Sequence, residues 1–260
     1  DIEPETNTVA DLIPQILPGS ADEFRLLTDA VGGKGYRQID INLGCPFPMI
    51  AGKHKGAGML LYPAQVAEVL APIAEYPEIQ FSLKMRLGWE NASECMVLVE
   101  LLNTLRLSRI ALHARTGKQQ YKGHPDLEAF QGFYELCQHP LYYNGDIESL
   151  SDIRQILTRF PLLKGVFIGR GLLSSPLLAK EFKGNETFLP EQRMSIYFAF
   201  HEELFSAYSQ VLQGETQLLV KMKTLWEYFL PETDRKLLKR IKKSTRLQQY
   251  TESVKAIFTS

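Results

Sequence analysis

Gln38-Ile39-Asp40-Ile41-Asn42-Leu43-Gly44-Cys45-Pro46-Phe47-Pro48 is the stretch that decides the fold. Its first six residues form a short β-type apolar run, and a glycine and two prolines then break it. Further on, Val66, Val69 and Ile73 recur at helical spacing. A strand, a Gly/Pro loop and an amphipathic helix make one unit. The same unit recurs outward in both directions, with β-type runs at Leu12–Leu17, Gln80–Arg86, Arg109–Ala114, Pro140–Tyr143 and Gly165–Gly169. Phe24, Leu27 and Val31 share one helix face, and Ile153, Ile156 and Phe160 another. Strands alternating with helices imply a parallel sheet with helical crossovers.

Six such units in about 180 residues is about 30 residues each, whereas a closed (β/α)8 barrel takes eight units and roughly 250 residues. An open six-stranded α/β sheet is the alternative. The barrel is preferred because polar residues collect at the C-terminal ends of several strands, where barrels build their sites. The expected fold is therefore an α/β (β/α)8 barrel lacking its first two units, which would precede Asp1. After Pro190 no strand pattern remains. A helix over 191–213 places Tyr197, Phe200, Leu204, Tyr208 and Val211 on one face, and helices follow near 216–229, 232–243 and 245–258. The expected division is a barrel domain over 1–185 and a small all-helical domain over 190–260.

Composition narrows the function classes. Of 260 residues, 45% are hydrophobic and 23% charged, with a net charge of −1, as in an ordinary globular chain. No run of 18 apolar residues suggests a membrane span, and no signal peptide is visible. The three cysteines, at 45, 95 and 137, are too far apart for a zinc motif or a disulfide framework. No metal is expected, and a reduced, cytoplasmic setting fits. The near-neutral total hides a bias: Lys221, Lys223, Arg235, Lys236, Lys239, Arg240, Lys242, Lys243 and Arg246 crowd the tail, opposed only by Glu227, Glu232 and Asp234. This is either an RNA-binding surface or a solvated helix face.

Candidate chemistry lies just past the strands. Cys45 sits in a tight loop, which suits a proton donor or nucleophile but also an inert packed thiol. The glycine-rich basic run from Gly52 to Gly58 is not a P-loop. It could touch phosphates through Lys53 and Lys55 or be a solvated turn. Lys84 interrupts an apolar strand, which is costly unless its charge is used, for instance to stabilise an electron-rich ring. His113 and Arg115 share a strand face if the strand extends that far. Asn144-Gly145-Asp146 and Ile168-Gly169-Arg170-Gly171 follow the last two strands, where barrels frequently hold a phosphate.

These motifs together resemble the tRNA-dihydrouridine synthase family. The resemblance rests on Asp40–Pro46, Gly56-Ala57-Gly58-Met59-Leu60-Leu61 with Pro63, Lys84-Met85-Arg86-Leu87-Gly88, His113-Ala114-Arg115-Thr116 with Tyr121, Asn144-Gly145-Asp146, and Gly169-Arg170-Gly171 with Pro176. It covers about residues 11–180, and the helical tail is similar to the family's second domain. It implies a flavin-binding TIM barrel that reduces selected uridines of tRNA to 5,6-dihydrouridine with FMN, and NADPH as reductant. Cys45 then resembles the general acid that protonates C5 opposite the hydride delivered to C6. Gln15, Lys84 and His113 resemble residues at the flavin ring, and Asn144, Gly145, Asp146, Gly169 and Arg170 its ribityl-phosphate cradle. Asn42, Arg115 and Tyr121 resemble residues around the target uracil. The tRNA backbone would meet Lys53 and Lys55 and, in the tail, Lys239, Arg240, Lys242 and Lys243. The resemblance implies tRNA as partner, a monomer, and no membrane. The lysine that often follows Cys-Pro in the family is replaced here by Phe47-Pro48-Met49-Ile50. Two other readings compete: a flavin oxidoreductase of a small molecule, similar to dihydroorotate dehydrogenase, and a noncatalytic RNA-binding remnant. The nine-cation tail disfavours the first, and bound flavin would exclude the second.

Overall fold

A computed structural model of the chain describes residues 2–7 and 12–259. Six strands, β1 (Gln15–Ile16), β2 (Gln38–Leu43), β3 (Gln80–Gly88), β4 (Leu107–Thr116), β5 (Leu141–Asn144) and β6 (Gly165–Phe167), form one sheet in chain order. Every neighbouring pair is parallel. A doubly wound sheet would reverse its order at a switch point. Here the order never reverses, so the sheet is that of consecutive (β/α) barrel units, six in number. The crossovers carry α1 (Ala21–Gly32), the short α2 (Pro48–Ala51), α3 (Pro63–Leu70), α4 (Glu94–Thr104), α5 (Leu127–Leu136) and α6 (Leu150–Arg159).

The strands differ in length from the sequence expectation. β1 is only two residues long because Pro14 and Pro18 flank it, and proline has no N–H for the ladder. β4 runs on to Thr116, and a bulge pairs Gly88 with Thr116. That extension carries His113 and Arg115 out to the strand end.

The two faces of the sheet have opposite chemistry. Ile39, Ile41 and Leu43 of β2, Phe81, Leu83, Met85 and Leu87 of β3, and Ile110, Leu112 and Ala114 of β4 are fully buried on one face. With a side-chain period of two, the other face carries Asp40 and Asn42, then Ser82, Lys84 and Arg86, then His113 and Arg115. Parallel register brings these into rows: Asp40 beside Ser82, Asn42 beside Lys84, and Arg86 beside His113, which is in turn beside Asn144.

The chain divides into two compact units, residues 1–146 with 154–167, and residues 147–153 with 168–260. The second contains α7 (Arg170–Ser174), α8 (Leu178–Gly184), α9 (Pro190–Val211), α10 (Glu215–Leu225), α11 (Arg235–Lys243) and α12 (Leu247–Phe258). Its core gathers Tyr197, Met222, Trp226, Phe229, Ile241 and Tyr250. Within that core Trp226 Nε1 donates to Tyr250 Oη (3.0 Å), which pairs in turn with His201 Nε2 (2.7 Å). Of the apolar residues expected to share one face of α9, Tyr197 is buried and Val211, at the helix end, is 73% exposed. Among the described residues no helix is long and apolar enough to cross a membrane.

Candidate functional site

Cys45 lies in the loop after β2, half-buried and free. Its amide, and that of Gly44, donate to Asn42 Oδ1 at 2.8 and 2.9 Å, so the strand's last polar side chain closes the loop. Its carbonyl accepts from Ala57 N at 3.0 Å. Gly56 packs against it with φ +57°, and a Cβ there would lie 2.9 Å from both the Cβ and the carbonyl oxygen of Cys45. Only glycine meets both demands without displacing the cysteine. The thiol itself makes no hydrogen bond among the described residues, so nothing in the fold consumes its proton.

Asn42 is itself held. Its Nδ2 donates to Gln15 Oε1 (2.7 Å), Gln15 Nε2 donates to Asp40 Oδ2 (2.6 Å), and Ser82 Oγ donates to Asp40 Oδ1 (2.5 Å). Asn42 was singled out at the exit of its strand, and Gln15 only through the family resemblance. Asp40 and Ser82 were not singled out, because their bond joins strands whose register the sequence does not give.

Lys84 stands beside Asn42, and its half-buried ammonium has no hydrogen bond or ion pair among the described residues. Burial first, then Arg86, push its pKa down, while Asp40 and Cys45 pull it up. His113 is buried, and its Nε2 has no hydrogen-bond partner. Burial, followed by the charges of Arg86, Lys84 and Arg115, pushes its pKa down to about 3. His113 is therefore a neutral imidazole at physiological pH. In an unfolded chain it would titrate near about 6.5. Between those values only the unfolded chain takes up the proton. The stability contributed by neutral burial is thus complete above about 6.5 and is lost as pH falls toward about 3, by at most about 1.4 kcal/mol per pH unit. Urea unfolding at pH 8 and pH 5 is expected to show a smaller loss in His113→Gln than in the wild-type chain.

Arg86, 2% exposed, ties the site together. Its Nε donates to Gly44 O (3.0 Å), and one terminal nitrogen donates to Thr116 O (2.8 Å) and Gln120 O (2.7 Å). Its guanidinium carbon lies 5.5 Å from the Tyr121 ring centre, and that ring lies 6.3 Å from His113. Tyr121 is 56% exposed, so an aromatic face is held beside the Cys45 loop yet open to solvent. Arg86 was quoted in a motif without a role. A charged residue two positions after Lys84 on the same strand face was the available signal.

Arg115 and Asp146, expected at different ligands, meet each other. Arg115, 1% exposed, donates through two nitrogens to the two Asp146 oxygens and also to Gly123 O. This pair raises the Arg115 pKa and locks the turn after β5, where Gly145 has φ +148° and Asp146 φ +37°. Asn144 Nδ2 donates to Phe167 O (2.9 Å). Gly169 and Arg170 belong to the second unit, where Gly169 precedes α7 and an added Cβ would meet nothing within 4 Å.

Of the loop lysines, Lys53 is exposed, whereas Lys55 reaches both oxygens of Glu23 at 2.6 Å and holds that carboxyl below its usual range. In the tail, Lys239, Arg240, Lys242 and Lys243 are all exposed on α11, and no ion pair holds any of them among the described residues. Lys236, Lys239, Arg240 and Lys243 line a groove of about 430 Å³ against α12. Lys223, in contrast, is turned to the Ser244 carbonyl.

The polar face thus joins a thiol, a half-buried ammonium and a neutral imidazole with an orphaned nitrogen. Such a set suits an electron-rich heteroaromatic ring that takes on negative charge.

Comparison with known proteins agrees on a family. A "Probable tRNA-dihydrouridine synthase" of Rhizobium leguminosarum bv. phaseoli is 32% identical over 139 residues, 53% of this chain and 44% of that protein. The tRNA-dihydrouridine synthase B of Vibrio vulnificus is 28% identical over 161 residues, 60% of this chain and 50% of that protein. The chain thus spans about half the length of the curated relatives it matches. Among solved structures, morphinone reductase in complex with tetrahydroNAD is similar at TM-score 0.45 and 13% identity, over 66% of this chain and 51% of that one. The family description "Dihydrouridine synthase (Dus)" matches residues 4–259, almost the entire sequence, and the chain therefore belongs to the dihydrouridine synthase family.

Proposed function

We propose that this chain reduces uridines of tRNA to 5,6-dihydrouridine, with FMN as cofactor and NADPH as reductant. The observation that carries the reading is the Cys45 loop, held by Asn42 and Arg86, with Lys84 and His113 unpartnered on the same polar face. Those two groups fit a flavin: a free ammonium and a buried nitrogen lacking a partner await a polar ring. Gln15, Lys84, His113 and Asn144 would hold the isoalloxazine and ribityl parts, and the backbone at Gly145 would approach the phosphate. FMN, when bound, supplies hydride to C6 of the uracil. Cys45 Sγ gives the proton to C5. Asn42 and Tyr121 would orient the base, with Tyr121 offering a ring for stacking. Arg115, paired with Asp146, would act by shaping the turn. The uridine would leave the tRNA interior to reach the strand ends, a step least costly where it is unpaired. The reading carries with it a monomeric, cytoplasmic enzyme.

The test is flavin uptake by the 260-residue chain, followed by NADPH-dependent formation of dihydrouridine in tRNA. Flavin binding with turnover supports the reading. Flavin binding with turnover of a small molecule alone would favour the small-molecule oxidoreductase, and RNA binding without flavin the noncatalytic remnant.

The exposed cations of α11 would bind tRNA phosphates, and so, by itself, would Lys53. Replacing Lys239, Arg240, Lys242 and Lys243 by glutamine is expected to weaken tRNA binding. Its log–log salt dependence should flatten by about one unit for each phosphate no longer neutralised. Filter binding across a salt series measures this. An unchanged slope would make α11 a solvated face.

A further inference from the structure

The polar chain on the first three strands has a direction, and a residue outside the proposed chemistry sets it. The amides of Gly44 and Cys45 can only donate, so Asn42 must turn Oδ1 toward them. Its Nδ2 is then left for Gln15, whose Oε1 must accept, and Gln15 Nε2 must donate to the next group. That group is Asp40, 7% exposed, which accepts from Gln15 on one oxygen and from Ser82 on the other. A flip of either amide would set donor against donor. Because Asp40 accepts on both oxygens, it fixes the direction from the far end.

We propose that Asp40 is a positioning residue for Cys45. It acts through Gln15 and Asn42 to hold Asn42 Oδ1 on the loop amides, which leaves one Nδ2 proton of Asn42 uncommitted for the substrate. The functional part rests on the reading of Cys45 as proton donor; the relay itself does not. Asp40→Asn keeps the shape but replaces one of the two acceptor oxygens with an NH2 that can only donate. If its NH2 faces Gln15, Gln15 must flip, then Asn42 must flip, and the Gly44 and Cys45 amides lose their acceptor. If its oxygen faces Gln15 instead, its NH2 meets the Ser82 hydroxyl, which must turn away from its present bond. The double change Gln15→Glu with Asp40→Asn exchanges carboxylate and amide along the relay, and Asn42 again has an acceptor for its Nδ2.

The experiment is hydrogen–deuterium exchange at the Gly44 and Cys45 amides in the 260-residue chain, with the amides of α9 as internal reference. Exchange in Asp40→Asn is expected to be at least about fivefold faster than in the wild type, and the double variant to return to within about fivefold of it. A smaller effect in the single variant, or no return in the double, overturns the proposal. Should Asp40→Asn fail to fold, the double variant decides alone: exchange within about fivefold of the wild type supports the relay, and any other result, misfolding included, overturns it. Where the wild-type chain reduces tRNA, Asp40→Asn lowers kcat at unchanged KM for tRNA. A wild-type chain that forms no dihydrouridine would sink the proposed function, while the exchange result would still decide the relay.

Discussion

Cys45→Ala is expected to slow dihydrouridine formation by about two to four orders of magnitude, the usual span for loss of a positioned general acid. The fold and flavin uptake should survive. The loop is held through backbone atoms: the Cys45 amide donates to Asn42, its carbonyl accepts from Ala57, and Arg86 grips Gly44. The thiol takes part in none of these bonds, so its removal costs only a little half-buried packing. Cys45→Ser should fall almost as far. A hydroxyl keeps the shape, but its much higher pKa makes it a poor proton donor. The measurement is dihydrouridine formed per enzyme with flavin content held equal. A Ser variant within about threefold of the wild type would mean that the proton comes from elsewhere, since a group of such different acidity would not substitute so well.

How far the sequence could reach is clear from particular residues. Strand β2 was readable to its ends, because Ile39, Ile41 and Leu43 alternate with polar residues and Gly44 stops the run. β1 was read too long, although Pro14 and Pro18 marked its limits. The site was legible as separate strand ends but not as bonds between them. Asp40 reaches Gln15 and Ser82, 25 and 42 residues away, and Arg86 reaches the loop of Gly44, 42 residues back. Such pairs depend on parallel register, which local pattern does not encode. The same gap hid the pairing of Lys55, assigned to tRNA phosphate, with Glu23, and that of Arg115 with Asp146, two residues assigned to different ligands.

Arg86→Met is expected to destabilise the chain by about 2–4 kcal/mol, and Arg86→Lys by at least as much. Two effects oppose each other. The wild-type guanidinium makes three hydrogen bonds to backbone carbonyls, and bonds from a charged donor contribute about 1.5–3 kcal/mol each. Burying that charge costs several kcal/mol in return, and burial is the main reason its pKa is lowered. Methionine loses the bonds but also removes the burial cost. Lysine keeps the charge, yet one ammonium cannot span Gly44 in one loop and Thr116, at the end of β4, with Gln120 beyond it, as a planar fork does. The more conservative substitution should thus be no milder than the apolar one. Urea denaturation of the three proteins at one pH decides it. A lysine variant more stable than the methionine variant by over about 1 kcal/mol would show that positive charge, and not the fork, matters at this position. In that event the Cys45 loop and Tyr121 would be joined by a field and not by a clamp, and loop position would tolerate the change. If the fork matters, both variants should also let Tyr121 drift from the Cys45 loop and lose turnover beyond what their stability explains.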